Sequence, residues 1–192
     1  MNMRILAACV GSLVALPALA APVTYNVDPN HTYPSFAADH FGGLSVWRGK
    51  FTSSSGKIVL DKEAGTGTVN ITVNTGSIDI GHEKLNEHVK SPDMLDVAKF
   101  ATATYEGKLT KFRNGMPTQV EGTLTLHGVT KPVTLTIDKF KCMQNPMSKK
   151  DVCGADATGT INRADFGVSY GQAYGFDMGV QLQIQVEAIK AD

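Results

Sequence analysis

The sequence has no excess of charge of either sign: 18 Lys and Arg are matched by 18 Asp and Glu, and no stretch gathers the basic ones. A protein that neutralises phosphates needs a basic patch, so nucleic acid and anionic membrane surfaces are poor candidates for its partner. A G-x-S-x-G nucleophile elbow is missing, and so is a glycine-rich loop of the kind that cradles phosphates. His82-Glu83 opens like a zinc-protease helix, but the next histidine is His88, and a spacing of i+6 faces a different side of a helix from i+4. That motif therefore gives no metal site. A long apolar run is lacking as well: residues 5–16 fall short of the ~20 that a bilayer span requires, and Pro17 ends the run.

That short run has another meaning. Met1 to Arg4 supply a positive start, residues 5–16 carry no charge, and Pro17 precedes Ala18-Leu19-Ala20. This order reads as a cleavable secretory signal over 1–20, cut after Ala20. Leu6-Ala7-Ala8-Cys9 resembles a lipid-attachment box, but it comes too early, with only residues 5–8 ahead of it as an apolar segment. Residues 21–192 then form one domain, with enough chain to bury a core. Loss of Arg4 leaves that domain close to neutral, with about one net negative charge.

Cysteine is scarce: of three in the chain, only Cys142 and Cys153 lie in the exported part. In an oxidising compartment such a pair reads as a disulfide closing the polar loop between them, contributing about 2–3 kcal/mol. Zinc is the alternative, although no His or further Cys sits nearby to complete a set of ligands.

What the sequence has in quantity is alternation. Val120, Leu124 and Leu126 alternate with Glu121, Thr123 and Thr125; Val133, Leu135 and Ile137 alternate with Thr134, Thr136 and Asp138. From 180 to 188, Val180, Leu182, Ile184, Val186 and Ala188 face one way and Gln181, Gln183, Gln185 and Glu187 the other. A period of two puts one face in the core and one in water. Further strands are expected at 24–27, 35–40, 46–60, 66–74, 100–112 and 159–165. Phe41-Gly42-Gly43, residues 62–65, Asn114-Gly115-Met116-Pro117 and His127-Gly128 separate them as turns. Eight or nine such strands without a βα repeat point to an all-β fold, either an up-and-down antiparallel barrel of about eight strands or a sandwich, and closure is favoured because it removes exposed edges.

One segment departs from alternation. Leu85 and Val89 stand four apart among polar residues, which predicts a short amphipathic helix over 82–90 that can plug one mouth. Ser91-Pro92-Asp93 is expected to start another turn, with Ser91 as its cap and Pro92 in the first position.

Four stretches resemble the YceI-like, polyisoprenoid-binding family. They are YNVDPNHTYPSFAADH (25–40) with WRGKF (47–51), HEKLNEHVKSPDMLDVAKF (82–100), LTLHGVTKPVTL (124–135) and TINRADFGV (160–168). In the second, His88, Val89, Lys90, Ser91 and Asp93 match the family's H-[LV]-[KR]-S-x-D. The four occur in the family's order across nearly the whole exported chain. The resemblance implies a lipocalin-like barrel in the periplasm that holds an isoprenoid or another long-chain amphiphile, in a family regarded as carriers or storage proteins in isoprenoid quinone metabolism and as stress-associated, with no established catalytic residues. Three positions depart from the pattern. Pro34 lacks a ladder donor, so its strand should be bulged or marginal there; Ala38 stands where a larger aliphatic is common and would widen a cavity; Pro92 precedes Asp93 where Ala is typical.

An eight-stranded barrel either fills with its own side chains or holds one ligand. Small inward residues such as Ala38 and Gly122 favour a cavity. The expected apolar wall is Phe36, Ala38, Val73, Leu95, Phe100, Tyr105, Val120, Leu124, Leu126, Leu135, Ile137, Phe166, Val180, Leu182 and Ile184, each of which is equally compatible with plain core. Polar candidates for a headgroup are His40, His88, Lys90, Ser91 and Arg163, with an Arg163–Asp165 structural pair as the alternative for the last. Asp28 and His31 are expected to bond backbone at the barrel's end. No metal and no cofactor beyond the bound chain is expected, and any uncovered strand edge leaves room for a homodimer. Three readings remain: a lipid-chain carrier, a periplasmic partner of a membrane redox or quinone component, and an amphiphile hydrolase using His40 or His88 as base.

Overall fold

The computed structural model describes residues 21–192, so the expected signal at 1–20 lies outside the described residues. The chain forms β1 (Val23–Val27), β2 (Tyr33–His40), β3 (Ser45–Phe51), β4 (Ser54–Asp61), β5 (Thr66–Asn74) and β6 (Ile78–Asp79). Helix α1 (Glu83–Lys90) comes next, and then β7 (Thr102–Thr110), β8 (Gln119–Leu126), β9 (Val129–Gln144), β10 (Asp151–Asn162) and β11 (Gly179–Lys190).

Every named pairing is antiparallel, and the sheet closes on itself through β11. The first half of β11 pairs with β2, from Val180 opposite Ala38 to Gln185 opposite Tyr33. Its second half pairs with β1, with Ala188 opposite Val27 and Lys190 opposite Tyr25. β1 and β2 are therefore two halves of one stave, broken over residues 28–32. β3 on β2 and β4 on β1 form a second divided stave, and β5, β7, β8, β9, β10 and β11 complete an antiparallel barrel of eight staves. Closure leaves few unpaired edge groups, and the two-residue β6 extends the margin beside β3.

Alternation translates directly into this architecture: Val120, Leu135, Ile137, Val180 and Ala188 are all buried in one core cluster. The turns fall where the punctuation places them. His127 and Gly128, both at positive φ (52° and 75°), join β8 to β9 by two residues, a geometry that matches the strand twist. Pro34 lies one residue inside the start of β2, beside the break, and faces Ile184 in regular register, so of the two expectations, a bulge or a marginal position, the second is met.

Three expectations need correction. The segment 159–165 does not remain a strand: β10 begins at Asp151 and ends at Asn162, whose side chain accepts from the Ala164 N–H and starts a 3-10 turn over Arg163–Phe166. The polar segment at Cys142 is no loose loop. β9 and β10 run on as a long hairpin, Cys142 lies directly opposite Cys153, and the disulfide joins them across the ladder, which removes the zinc alternative. Ser91 does start a turn, its carbonyl accepting from the Met94 N–H at 3.0 Å, but its side chain is not the cap: the hydroxyl donates back to His88 O at 2.7 Å, at the end of α1. The reason is local, since a serine at a helix end serves whichever backbone group its rotamer reaches.

α1 itself forms as the spacing predicts. His82 is its N-cap, with Nδ1 accepting from the Leu85 N–H at 3.3 Å. Val89 packs with Ile78, Leu95 and Val168 in a second cluster, against which Leu85 and Met94 lean.

Candidate functional site: an apolar cavity inside the barrel

The inward side chains do not meet across the barrel. They surround a cavity of about 710 Å³, within the range of small-molecule sites. β5 supplies Val69, Ile71 and Val73, β9 Val133, Leu135 and Ile137, and β11 Val180, Leu182, Ile184 and Val186. Period two along each stave is what makes the wall continuous.

Tyr105 is the polar exception deep in this wall. Its hydroxyl donates to Val133 O at 2.8 Å, and burial pushes its pKa up to about 12, so it remains a neutral phenol. Gly122 gives that ring its place: a Cβ there would sit 2.8 Å from Tyr105 Cζ. The expectation that Gly122 enlarges the cavity is thereby corrected, because the volume a side chain would take is occupied by its neighbour's ring.

The polar and aromatic residues gather at one end, where the β2–β3 turn, α1 and the segment 163–178 adjoin. His40 is ringed by Phe41, Trp47 and Phe176, with ring centroids 4.5, 5.6 and 5.6 Å away. His88 on α1 meets Tyr170 edge to face at 4.6 Å. Asp39 ties two loops together: it accepts from the N–H groups of Gly42 at 2.8 Å, Gly43 at 2.6 Å and Asp177 at 2.9 Å. Those bonds, the one from Asp177 foremost, hold its carboxyl below the usual range. Arg163 is buried beside them and donates to Val168 O and Tyr170 O.

Of the wall and headgroup residues expected from sequence, all but four line this cavity: Phe36, Ala38, His40, Val73, His88, Leu95, Tyr105, Val120, Leu124, Leu126, Leu135, Ile137, Arg163, Val180, Leu182 and Ile184 are in its wall. Lys90, Ser91, Phe100 and Phe166 are not. Lys90 ends α1 near enough to Asp79 for its charge to act there, and Ser91 closes the helix. Phe100 packs on His127 at 4.4 Å, under the Lys99 ammonium at 5.0 Å. Phe166, 2% exposed, is solid core, and its carbonyl receives His127 Nδ1 at 3.1 Å. A position in a turn has no alternating face, so its direction was not readable.

Sequence reasoning missed much of the rim. Phe41, Trp47, Tyr170, Tyr174 and Phe176 all line the mouth, yet four of them stand in the connections between strands. Their one signal was clustering, Tyr170, Tyr174 and Phe176 lying within seven residues among glycines. Arg163 and Asp165 form no ion pair among the described residues. Asp28 accepts from His31 Nδ1 at 2.7 Å and the Asn30 N–H at 3.0 Å, inside the break of the first stave and not at the barrel's end. His82 and His88 serve different places, one capping α1 and the other facing the cavity. Among the described residues no helix is long and apolar enough to cross a membrane.

The comparisons with known proteins fit this geometry. A model of the YceI-like domain matches residues 25–188. A UPF0312 protein of Enterobacter sp. is 33% identical over 99% of this chain and 98% of its own, and the protein YceI of Salmonella arizonae is 32% identical over 99% of both. Among solved structures, BcnA of Burkholderia cenocepacia superposes with a TM-score of 0.62 at 21% identity, covering 81% of this chain and 96% of that one. A polyisoprenoid binding domain from Saccharophagus degradans, implicated in plant cell wall breakdown, gives 0.62 at 15% identity over 88% and 99%. With a matched domain that runs from β1 to β11 and relatives aligned end to end, the chain belongs to the YceI-like family.

Proposed function

We propose that this protein is a periplasmic carrier that holds a long-chain isoprenoid, or an amphiphile of similar build, inside the barrel. The observation that carries the reading is the cavity itself: about 710 Å³, walled mainly by aliphatic side chains from the staves, with His40, His88, Arg163 and a cluster of aromatic rings gathered toward one end. That polarity suits a molecule with one greasy tail and one polar head. Each methylene drawn out of water contributes roughly 0.8 kcal/mol, so the tail dominates affinity and the head sets orientation. The Saccharophagus neighbour, a polyisoprenoid binding domain, supports the same class of ligand for a chain of this family. The role is binding and transport, not catalysis: Tyr105 is committed to a wall carbonyl, and His40 is packed among aromatic rings. Export to the periplasm is supported by the leader-like order of residues 1–20 and by the Cys142–Cys153 disulfide.

The test is native mass spectrometry of protein purified gently from the periplasm, followed by mild lipid extraction. A bound long-chain species at one per barrel is expected. Protein that arrives empty and takes up no added prenyl alcohol would end the carrier reading.

A further inference from the structure

Of the eight large apolar side chains that stand exposed among the described residues, five gather at the mouth: Phe41, Leu44, Val46, Tyr170 and Tyr174. Leu44 is 76% exposed and Tyr174 71%. They belong to two connections that are locked together. The Asp177 N–H donates to Asp39 Oδ2 at 2.9 Å, and the Phe41 and Phe176 rings lie 4.8 Å apart, so the β2–β3 turn and the segment 163–178 form one rim. Apolar residues scattered singly over a surface need no explanation, whereas a cluster marks a contact site. The other three, Met116, Met143 and Met147, lie at the opposite end, by the β7–β8 turn and the β9–β10 hairpin, and line no part of the cavity.

The rim also lacks charge. Residues 41–47 and 166–176 contain no Asp, Glu, Lys or Arg. Asp39 and Asp177, which hold the two connections, turn onto backbone: Asp39 accepts from Gly42, Gly43 and Asp177, and Asp177 Oδ1 accepts from the Gly179 N–H at 2.8 Å. Exposed Arg48 follows the first run, with Nη1 donating to Val46 O at 3.4 Å. Phe41, Tyr170 and Tyr174 also line the cavity, so the apolar surface continues from the outside of the rim into the barrel.

We propose that this rim docks on the surface of a phospholipid bilayer, with Phe41 and Leu44 entering the interface and Arg48 at the level of the phosphates, so that the cavity opens onto the hydrocarbon. The choice of a bilayer rests on the carrier reading: a tail that left the barrel into water would expose each of its methylenes, and a seated rim removes that gap. Tyrosine rings, apolar with a polar tip, suit the headgroup level, and no charge has to be drawn into the interface. A fluid bilayer takes a projecting side chain such as Leu44 without the matching pocket that a protein partner would have to supply. Attachment is by apolar burial, since the sequence gathers no basic patch for anionic lipid.

The experiment is flotation of the exported chain with vesicles of dioleoylphosphatidylcholine. Wild-type protein should float with them and stay bound at high salt, because salt screens charge attraction and not apolar burial. Leu44→Glu should lower the bound fraction constant by about tenfold or more. Leu44→Trp should float at least as well as the wild type, and Met147→Glu, at the far end, should float equally well. Leu44 lies outside the cavity wall, so Leu44→Glu should bind cis-parinaric acid in solution as the wild type does and deliver it to acceptor vesicles more slowly. No flotation of the wild type overturns the proposal. Flotation that needs anionic lipid and is released by salt overturns it too, and so does flotation unchanged by Leu44→Glu or abolished by Leu44→Trp. A dimer in sedimentation that Leu44→Glu disperses, without flotation, assigns the rim to a second copy and overturns it as well. Protein that takes up cis-parinaric acid but does not float loses the docking and keeps the carrier reading; protein that floats but takes up no chain loses the carrier reading and keeps the docking.

Discussion

The hydroxyl of Thr32 stands in for a missing rung between the first stave and Glu187: it donates to Glu187 O at 3.1 Å and accepts from the Glu187 N–H at 3.1 Å. Thr32 is 1% exposed, and the Asp28 N–H reaches the same carbonyl at 2.9 Å, so the break over residues 28–32 is sealed by one side chain and one backbone group.

Replacing Thr32 by Val keeps the shape and removes the hydroxyl, leaving the buried Glu187 N–H without its partner. The expected loss is about 1–3 kcal/mol. Urea unfolding measures it, and Thr32→Ser should recover most of the loss because it restores both bonds.

Ala38 faces the cavity from β2 opposite Val180. Ala38→Trp should fill part of the space a tail would use, lowering bound lipid at least about tenfold while the far-ultraviolet circular dichroism stays that of the parent. A variant that binds normally would show that chains lie elsewhere.

The Cys142–Cys153 bridge clamps the outer part of the β9–β10 hairpin. Cys142→Ser with Cys153→Ser should cost roughly 2–3 kcal/mol by the chain-entropy account, with little change in ligand binding. Neither cysteine lines the cavity. A large fall in affinity on reduction would contradict this separation.

Asp39 supplies a pH dependence at the mouth. Its folded-state pKa is lowered, chiefly by the Asp177 N–H, so its contribution is present above the unfolded value of about 3.9 and is lost as pH falls through the lower folded value. Acid should therefore loosen the turn at Gly42 and Gly43 from the segment that contains Asp177. An NMR titration tracking the amide resonances of Gly42, Gly43 and Asp177 checks this, and Asp39→Asn should abolish the acid step.

Much of the fold was legible because a strand declares its buried face every second residue. Val120, Leu124, Leu135 and Val180 needed only that rule, and the His127-Gly128 turn needed only the backbone freedom of its residues. Phe100 and Phe166 went astray for the complementary reason: each stands in or beside a turn, where neighbours and not periodicity decide direction, and both came to lie against His127. Gly122 misled in another way, since the space above a glycine belongs to whichever ring reaches it first, here that of Tyr105.

By itself, the order of residues determined an antiparallel all-β domain with closure favoured over a sandwich, its family, a helix within 82–90 and the pairing partners Cys142 and Cys153, because each of these comes from local pattern or from continuous motifs. Only the tertiary structure decided that the first two staves are each broken in two and that the interior stays open. It also decided that Arg163 meets backbone carbonyls and not Asp165, and that aromatic residues far apart in sequence share one rim. Those outcomes depend on barrel radius and loop packing, which are set by all the staves at once and by no single segment.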